Sequence, residues 1–170
     1  MNKCIFLDRD GVLNKDKVDY VYKEADHVIL PGVVEALHLF KNDGFKLVII
    51  TNQSGIAKGI YTSEDVMLCY KLLQDACGGI IDGIYYAPYH PEHDSQNLTS
   101  KPASVMFEKA IAKFGIDVAQ SWMVGDKERD LVPAKKLGIK TIHLQVDEKI
   151  YEADMVVKSL LEAAEQIVMG

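Results

Sequence analysis

The stretch IFLDRDGVLN, residues 5–14, holds the features that decide the fold of this chain. Together with Cys4 it opens as a short continuous apolar run, which is typical of a strand buried on both faces of a sheet. The run ends in two aspartates, Asp8 and Asp10, and a glycine follows at once. Side chains two residues apart in extended backbone point the same way, so these carboxylates repel each other unless a cation or a reaction needs them together.

Outward from this stretch, strand patterns and helix patterns alternate to the end of the chain. Pro102 is expected at or near the start of its helix, where proline is favoured. Pro133 is expected to distort the helix that contains it. The alternation predicts an α/β fold, a Rossmann-like three-layer αβα sandwich with a mainly parallel sheet. Further strands are predicted at 45–51, 83–87, 121–126, 140–144 and 153–157, and helices at 31–44, 62–78, 102–115, 127–138 and 159–169.

Length and composition predict a single domain over residues 1–170. Of the 170 residues, 48% are hydrophobic, which is enough for one substantial core. The net charge of -6 argues against a nucleic-acid surface. No apolar run approaches the roughly 20 residues of a membrane helix, and the chain opens on a strand pattern, so neither a membrane span nor a signal peptide is expected. Cys4, Cys69 and Cys77 lack metal or redox spacing and are expected to be free thiols of a cytoplasmic protein.

Polar side chains follow several of the predicted strands. Ligands of open α/β sheets bind beyond the carboxyl ends of the strands, so these segments are expected to converge there. Carboxylate oxygens without a nearby histidine or thiol suit Mg²⁺, which would neutralise the cluster and attract a phosphate. The expected site comprises Asp8 and Asp10 after the first strand, Thr51, Asn52 and Gln53 after the second, Lys101 before a helix, and Asp126, Lys127 and Asp130 after WMVG.

With these motifs the chain resembles the haloacid dehalogenase superfamily of phosphatases. DRDGVLN at 8–14 resembles their first motif, DxDG, and VIITNQSG at 48–55 resembles the second, a strand that ends in threonine. Lys101 in SKP resembles the third motif, and GDKERD at 125–130 resembles the fourth, GDxxxD. The four motifs stand in order and span nearly the whole chain. Within the superfamily they are most similar to the histidinol-phosphate and heptose-bisphosphate phosphatase group.

The resemblance implies a role for each motif residue. Asp8 would be the nucleophile that receives the phosphoryl group, and Asp10 would protonate the leaving alcohol and then activate water. Mg²⁺ would sit between Asp8, the backbone carbonyl of Asp10, and Asp126. Thr51 and Lys101 would hold the phosphoryl oxygens.

Further residues are assigned by the same resemblance. Lys127 would add positive charge beside the phosphate, and Asp130 would orient Lys127 or a metal-bound water. Ser100 stands where the family has an arginine that contacts the substrate, and Lys58 stands where it has another arginine. The positions that line the substrate in the heptose-bisphosphate enzymes correspond here to Asp16, Tyr20, Asn52 and Gln53.

Many members of the group also carry a zinc loop, C-x-H…C-x-C, before the third motif. The corresponding residues here are Ala87, Tyr89, Asn97 and Thr99, which are not a usable ligand set, so no zinc is expected. His90 and His93 remain in this loop, but two histidines do not make a closed site. About 50 residues separate Thr51 from Lys101, which leaves no room for a cap domain, so the expected fold is capless and the site open.

The implied function is that of a Mg²⁺-dependent phosphomonoesterase acting through an aspartyl phosphate. The expected reaction is removal of the 7-phosphate of D-glycero-D-manno-heptose 1,7-bisphosphate, with a small phosphorylated sugar as the only partner of a monomer or weak oligomer. A histidinol-phosphate phosphatase, another small sugar-phosphate phosphatase and, in a different class, a catalytically silent binding protein stay open as alternatives. A 3′-phosphatase of nucleic-acid ends is disfavoured by the acidic balance of the chain and the lack of a basic, aromatic groove.

Overall fold

The computed structural model describes residues 1–93 and 99–170, in which strands and helices alternate as the sequence predicts. Two short 3₁₀ turns, Glu24–Asp26 and Val118–Gln120, were not predicted. The elements in chain order are β1 (Cys4–Leu7), α1 (Val33–Asn42), β2 (Lys46–Asn52), α2 (Ser63–Cys77), β3 (Gly83–Ala87), α3 (Val105–Phe114), β4 (Trp122–Gly125), α4 (Glu128–Lys136), β5 (Lys140–Leu144), β6 (Met155–Val157) and α5 (Leu160–Met169).

The six strands form one sheet in the order β3-β2-β1-β4-β5-β6, and every pairing is parallel. At the end of the central strand β1, Leu7 lies opposite Ile49 of β2 and Val124 of β4. The chain segments that leave β1, β2 and β4 therefore start at the same edge of the sheet. This arrangement confirms the predicted Rossmann-like α/β fold.

The core has two layers, one on each face of the sheet. Ile5 and Leu7 face the layer that α1, α2 and α5 cover, whereas Cys4 and Phe6 face the layer that α3 and α4 cover. Burial on both faces explains why β1 reads as a continuous apolar run. The Phe6 ring packs on that of Phe107 in α3, with ring centroids 5.3 Å apart. Each such side chain contributes roughly 1.5–3 kcal/mol by leaving water.

Two helix starts show how local contacts set the element boundaries. The helix expected to begin at or near Pro102 begins at Val105, with Ser104 at its N-cap position. Residues 100–103 form a turn in which the Ala103 N–H donates to the Ser100 carbonyl at 2.9 Å. In contrast, α4 continues through Pro133, and α2 is capped by Thr62, whose side chain accepts from the Asp65 N–H. None of the described helices is both long and apolar enough to cross a membrane.

Candidate active site

Three buried carboxylates meet at the edge of the sheet where β1 and β4 end. Asp8 follows β1, Asp126 follows β4, and Asp130 lies in the first turn of α4. One oxygen of each lies within 4.8 Å of one oxygen of the others. The third carboxylate of this cluster is therefore Asp130 rather than that of Asp10, whose side chain has other partners. Gly125 allows Asp130 to lie this close to the end of β4, because a Cβ at position 125 would be 2.3 Å from the Asp130 Cβ.

The cluster fits a divalent cation. Burial, reinforced by the charges of Asp8 and Asp130, raises the pKa of the Asp126 carboxyl to about 7. Asp126 Oδ1 is buried and has no hydrogen-bond partner in the described part of the chain. Gly11, at a φ of 85°, keeps the space beside it open, since a Cβ there would lie 2.5 Å from Asp126 Oδ2. A buried carboxylate oxygen without a hydrogen-bond partner is the kind of ligand that Mg²⁺ takes.

Lys101 inserts its ammonium group into this cluster. Its Nζ lies 2.7 Å from Asp8 Oδ1 and 2.6 Å from Asp130 Oδ1, and it also donates to the Ile50 carbonyl at 2.8 Å. Burial opposes the charge, but the two carboxylates outweigh it and raise the pKa of Lys101 above its usual value. Lys101 is thus a permanent cation that orients one oxygen of Asp8 and leaves the other available.

The last residue of β2, Asn52, fixes Lys101 in place. The Asn52 amide donates from Nδ2 to the Lys101 carbonyl at 3.0 Å and accepts from the Lys101 N–H at 2.9 Å. Asn52 therefore acts on the backbone of Lys101 as a neighbouring strand would. The Thr51 side chain is buried at the same edge and accepts from Gln53 Nε2 at 3.0 Å.

The Asp10 carboxylate is held by its own set of donors. Arg9 donates to it from Nε and Nη2, both at 3.0 Å, and Asn14 donates from Nδ2 at 2.9 Å. Gln53 Nε2 adds a fourth contact at 3.2 Å. The Tyr61 hydroxyl in turn donates to Gln53 Oε1 at 2.7 Å, so a chain of hydrogen bonds runs from Tyr61 to Asp10.

A cavity of about 560 Å³ lies at this site, which is the size of a small-molecule pocket. Of the residues predicted from the sequence, Asp8, Asp10, Asp16, Tyr20, Thr51, Asn52, Gln53, Ser100, Lys101 and Lys127 contribute to its wall. Asp126 lies behind them, in the carboxylate cluster.

On one side of the cavity Lys127 Nζ contacts Asp16 Oδ2 at 3.3 Å, which ties the segment after β1 to the start of α4. Asp130, expected to orient Lys127, accepts from its backbone N–H at 3.2 Å and contacts the Lys101 ammonium instead of the Lys127 ammonium. Elsewhere in the cavity wall the Tyr20 ring packs against that of Tyr61, with centroids 5.6 Å apart.

Three residues of the site were missed by the sequence analysis. Arg9 was overlooked because alternation along an extended chain would place it opposite Asp8 and Asp10, yet it is almost completely buried against Asp10. Tyr61 is recruited by a loop whose course no pattern predicts. Arg129 lines the cavity, and its position in the first turn after GDK was the available signal.

Of the positions that correspond to the zinc loop, Ala87 is buried at the end of β3, and Tyr89 lines the cavity. Asn97 lies outside the described residues. His90, Glu92 and His93 do bring ligand atoms within 4.8 Å of one another in a turn at the surface, so this loop offers three donors of a different kind.

Known proteins are similar to this chain in sequence and in architecture. The family model of the haloacid dehalogenase-like hydrolases matches residues 3–138. D-glycero-beta-D-manno-heptose-1,7-bisphosphate 7-phosphatase of Haemophilus ducreyi is 38% identical over 94% of this chain and 95% of the relative. The corresponding alpha enzyme of Burkholderia mallei is 34% identical over 86% of this chain and 81% of the relative.

A solved structure is similar over nearly the full length. The D,D-heptose 1,7-bisphosphate phosphatase from B. bronchiseptica, complexed with magnesium and phosphate, superimposes with a TM-score of 0.89. It is 28% identical, and the match covers 98% of each chain.

Proposed function

The chain belongs to the haloacid dehalogenase-like hydrolase family and is a phosphatase, and from this premise we propose that it removes the 7-phosphate of D-glycero-D-manno-heptose 1,7-bisphosphate. The observation that carries the chemistry is the buried contact between Asp8 and Lys101 at the cavity floor. The substrate is supported by the relatives, of which those from H. ducreyi and B. mallei carry the names of heptose-1,7-bisphosphate 7-phosphatases.

Asp8 is the proposed nucleophile. Lys101 holds Asp8 Oδ1, so Oδ2 attacks phosphorus, and the bond between phosphorus and the sugar oxygen breaks as the aspartyl phosphate forms. As the bond to phosphorus forms, negative charge on the phosphoryl oxygens would be stabilised by the Lys101 ammonium and the Thr51 hydroxyl, while the leaving sugar oxygen takes the electron pair of the broken bond.

Asp10 is the proposed acid and base. In its protonated form it gives its proton to the departing sugar oxygen, and as a carboxylate it then takes a proton from the water that attacks the phosphoryl group. Water attack releases inorganic phosphate and restores Asp8. Arg9, Asn14 and Gln53 fix the direction of the Asp10 carboxyl through both steps.

The proposed cofactor is Mg²⁺, held by Asp8, Asp126 and the backbone carbonyl of Asp10. When bound it supplies positive charge that screens the substrate phosphate from the carboxylates. No zinc is part of the proposal, because Ala87 and Tyr89 replace the ligands of the family loop and a turn with three surface donors is not a closed tetrahedral site. Elemental analysis of the purified protein should find less than one zinc per chain after brief chelation.

The proposed ligand is a small sugar phosphate, and the proposed location is the cytoplasm. One sugar phosphate fills the cavity, and neither a nucleic acid nor a membrane takes part. The chain acts as a single capless domain, a monomer or weak oligomer of the cytoplasm, where its three unpaired cysteines stay reduced.

A phosphate-release panel tests the substrate. The wild-type kcat/KM should be higher for heptose 1,7-bisphosphate than for histidinol phosphate, because the cavity wall offers many hydrogen-bonding groups for hydroxyls. With Ser100 in place of arginine, discrimination between the α and β anomers should be weaker than in an arginine-bearing relative. A higher kcat/KM for histidinol phosphate would contradict the sugar assignment.

A further inference from the structure

The cavity wall carries five cationic side chains, and they differ in how far they are neutralised by the protein itself. Three are ion-paired: Lys17 with Asp26, Lys101 in the carboxylate cluster, and Lys127 with Asp16. The five are Lys17, Lys58, Lys101, Lys127 and Arg129.

The two remaining cations have no carboxylate partner among residues 1–93 and 99–170. Lys58 Nζ lies over the Tyr20 ring, 5.6 Å from its centroid. The Arg129 side chain makes neither an ion pair nor a hydrogen bond with any residue that the structure describes. It is exposed and lines the cavity. Its guanidinium is therefore the cation with the most binding capacity left for a ligand.

The position of Arg129 separates it from the site of phosphoryl transfer. It is the second residue of α4, and its neighbour Asp130 is fully buried and contacts Lys101 at the cavity floor. Arg129 lines the same cavity as Ser100, on the rim, whereas Lys101 is only 4% exposed. A group bound to Arg129 would thus lie toward solvent from the phosphate that Asp8 attacks.

Resting on the proposed function, we propose that Arg129 binds the second phosphate of the substrate, the one that stays on the sugar. A bisphosphate brings a second dianion that the floor residues do not neutralise, and a guanidinium can bind it through two parallel hydrogen bonds. Arg129 thereby supplies from α4 the bidentate contact that the chain lacks at position 100, where a serine stands.

The test compares a bisphosphate with the monophosphate that keeps only the scissile phosphate. We expect Arg129→Gln to lower the ratio of kcat/KM for heptose 1,7-bisphosphate to that for heptose 7-phosphate by about 10- to 150-fold, the loss of a charge-assisted contact, mostly through KM. Arg129→Lys should fall between the two, since an ammonium keeps the charge without the fork. Ser100→Arg placed in the Arg129→Gln background should restore part of the ratio.

Lys136→Gln is the matched control, because Lys136 is exposed at the other end of α4 and does not line the cavity. An unchanged ratio in Arg129→Gln, or an equal drop in Lys136→Gln, would overturn the assignment. If heptose 1,7-bisphosphate is not a substrate, the proposed function fails, and the same ratio measured with fructose 1,6-bisphosphate and fructose 6-phosphate still tests Arg129 by itself.

Discussion

At the scale of single residues, the repulsion between Asp8 and Asp10 is offset because each carboxylate is paired with its own cation. Asp8 contacts the Lys101 ammonium at 2.7 Å, and Asp10 receives the Arg9 guanidinium through two hydrogen bonds of 3.0 Å. Arg9 also donates to the Val21 carbonyl at 2.7 Å, which ties the segment after β1 to the same point. The two aspartates are close in sequence, but their partners suit them to different tasks.

Asp8→Asn should abolish turnover and leave the fold intact. An amide cannot form an acyl phosphate at a useful rate, so we expect a loss greater than about 10³-fold, or ~4 kcal/mol of barrier. Phosphate release and circular dichroism of the purified variant measure the two effects. Asp19→Asn removes the same charge from an exposed carboxylate on the cavity wall and should keep most of the activity. Near-wild-type turnover by Asp8→Asn would exclude Asp8 as the nucleophile.

Tyr61→Phe tests the hydrogen-bond chain that ends at Asp10. Without the hydroxyl, Gln53 loses its 2.7 Å donor and its amide can turn away from Asp10 and Thr51. The loss of one buried hydrogen bond, about 1–2 kcal/mol, corresponds to a fall in kcat of about 5- to 30-fold, with a smaller change in KM.

Tyr22→Phe is the comparison for this variant. The Tyr22 ring stacks on that of Tyr61 at 5.2 Å, and the described residues offer its hydroxyl no hydrogen bond. An equal loss of kcat in both variants would attribute the effect to ring packing and contradict a role for the Tyr61 hydroxyl.

At the scale of elements, a side chain outside the strands holds the starts of β2 and β3 together, at the end of the sheet opposite the candidate site. Asp82, just before β3, accepts from the Leu47 N–H of β2 at 2.8 Å and contacts Lys41 Nζ of α1 at 2.7 Å and Lys46 Nζ at 3.1 Å. Burial alone would raise the pKa of Asp82, but these three donors outweigh it and hold the pKa below its usual value. One carboxylate thus joins the starts of two strands to the end of a helix.

Asp82→Asn should lower the free energy of unfolding by about 1–3 kcal/mol at pH 7, measured by urea denaturation. A carboxyl whose folded pKa is depressed stabilises the fold above its unfolded pKa of about 3.9 and loses this contribution as pH falls through the lower folded pKa. The difference between wild type and variant should therefore be constant from pH 7 to about pH 5 and shrink below about pH 4.

Asp75→Asn provides the control, because Asp75 pairs with Lys71 on an exposed helix surface and such pairs contribute little. A difference between wild type and Asp82→Asn that grows on acidification would contradict the account of this contact.

The sequence was sufficient for the elements whose signal is local. Continuous apolar runs located β1 and β2, and the polar residues at the ends of these runs pointed to Asp8 and Thr51 as candidate site residues. The sequence pattern could not predict contacts that depend on the geometry of loops. The late start of α3 depends on the turn at 100–103. The hydrogen bond from Tyr61 to Gln53 depends on the course of residues 54–61. No periodicity encodes such distances.

At the scale of the whole molecule, the carboxylate cluster should couple the proposed metal binding to folding. Asp8 is more than 100 residues from Asp126 and Asp130 in the sequence, and the three are brought together only when β1 and β4 pair. The repulsion among them is a cost to the folded state that Lys101 offsets in part. A cation bound there should stabilise the folded state in preference to the unfolded one.

Mg²⁺ should therefore raise the melting temperature. At a concentration 100 times the Kd the stabilisation is about 2.7 kcal/mol, which for a chain of this length corresponds to roughly 5–11 °C. Differential scanning fluorimetry measures the shift, and EDTA should reverse it together with activity while the protein stays folded. Asp126→Asn should lose most of the shift. Full turnover in EDTA-treated, metal-free enzyme would exclude a metal-dependent reaction.

The most direct test of the central claim is to watch which phosphate leaves the sugar. In a ³¹P NMR time course with heptose 1,7-bisphosphate and Mg²⁺, the resonance of the 7-phosphate should disappear as inorganic phosphate grows, and that of the anomeric 1-phosphate should persist. The Asp8→Asn variant should leave both resonances unchanged. Loss of the anomeric resonance first, or no hydrolysis by wild-type enzyme that consumes histidinol phosphate under the same conditions, would contradict the account.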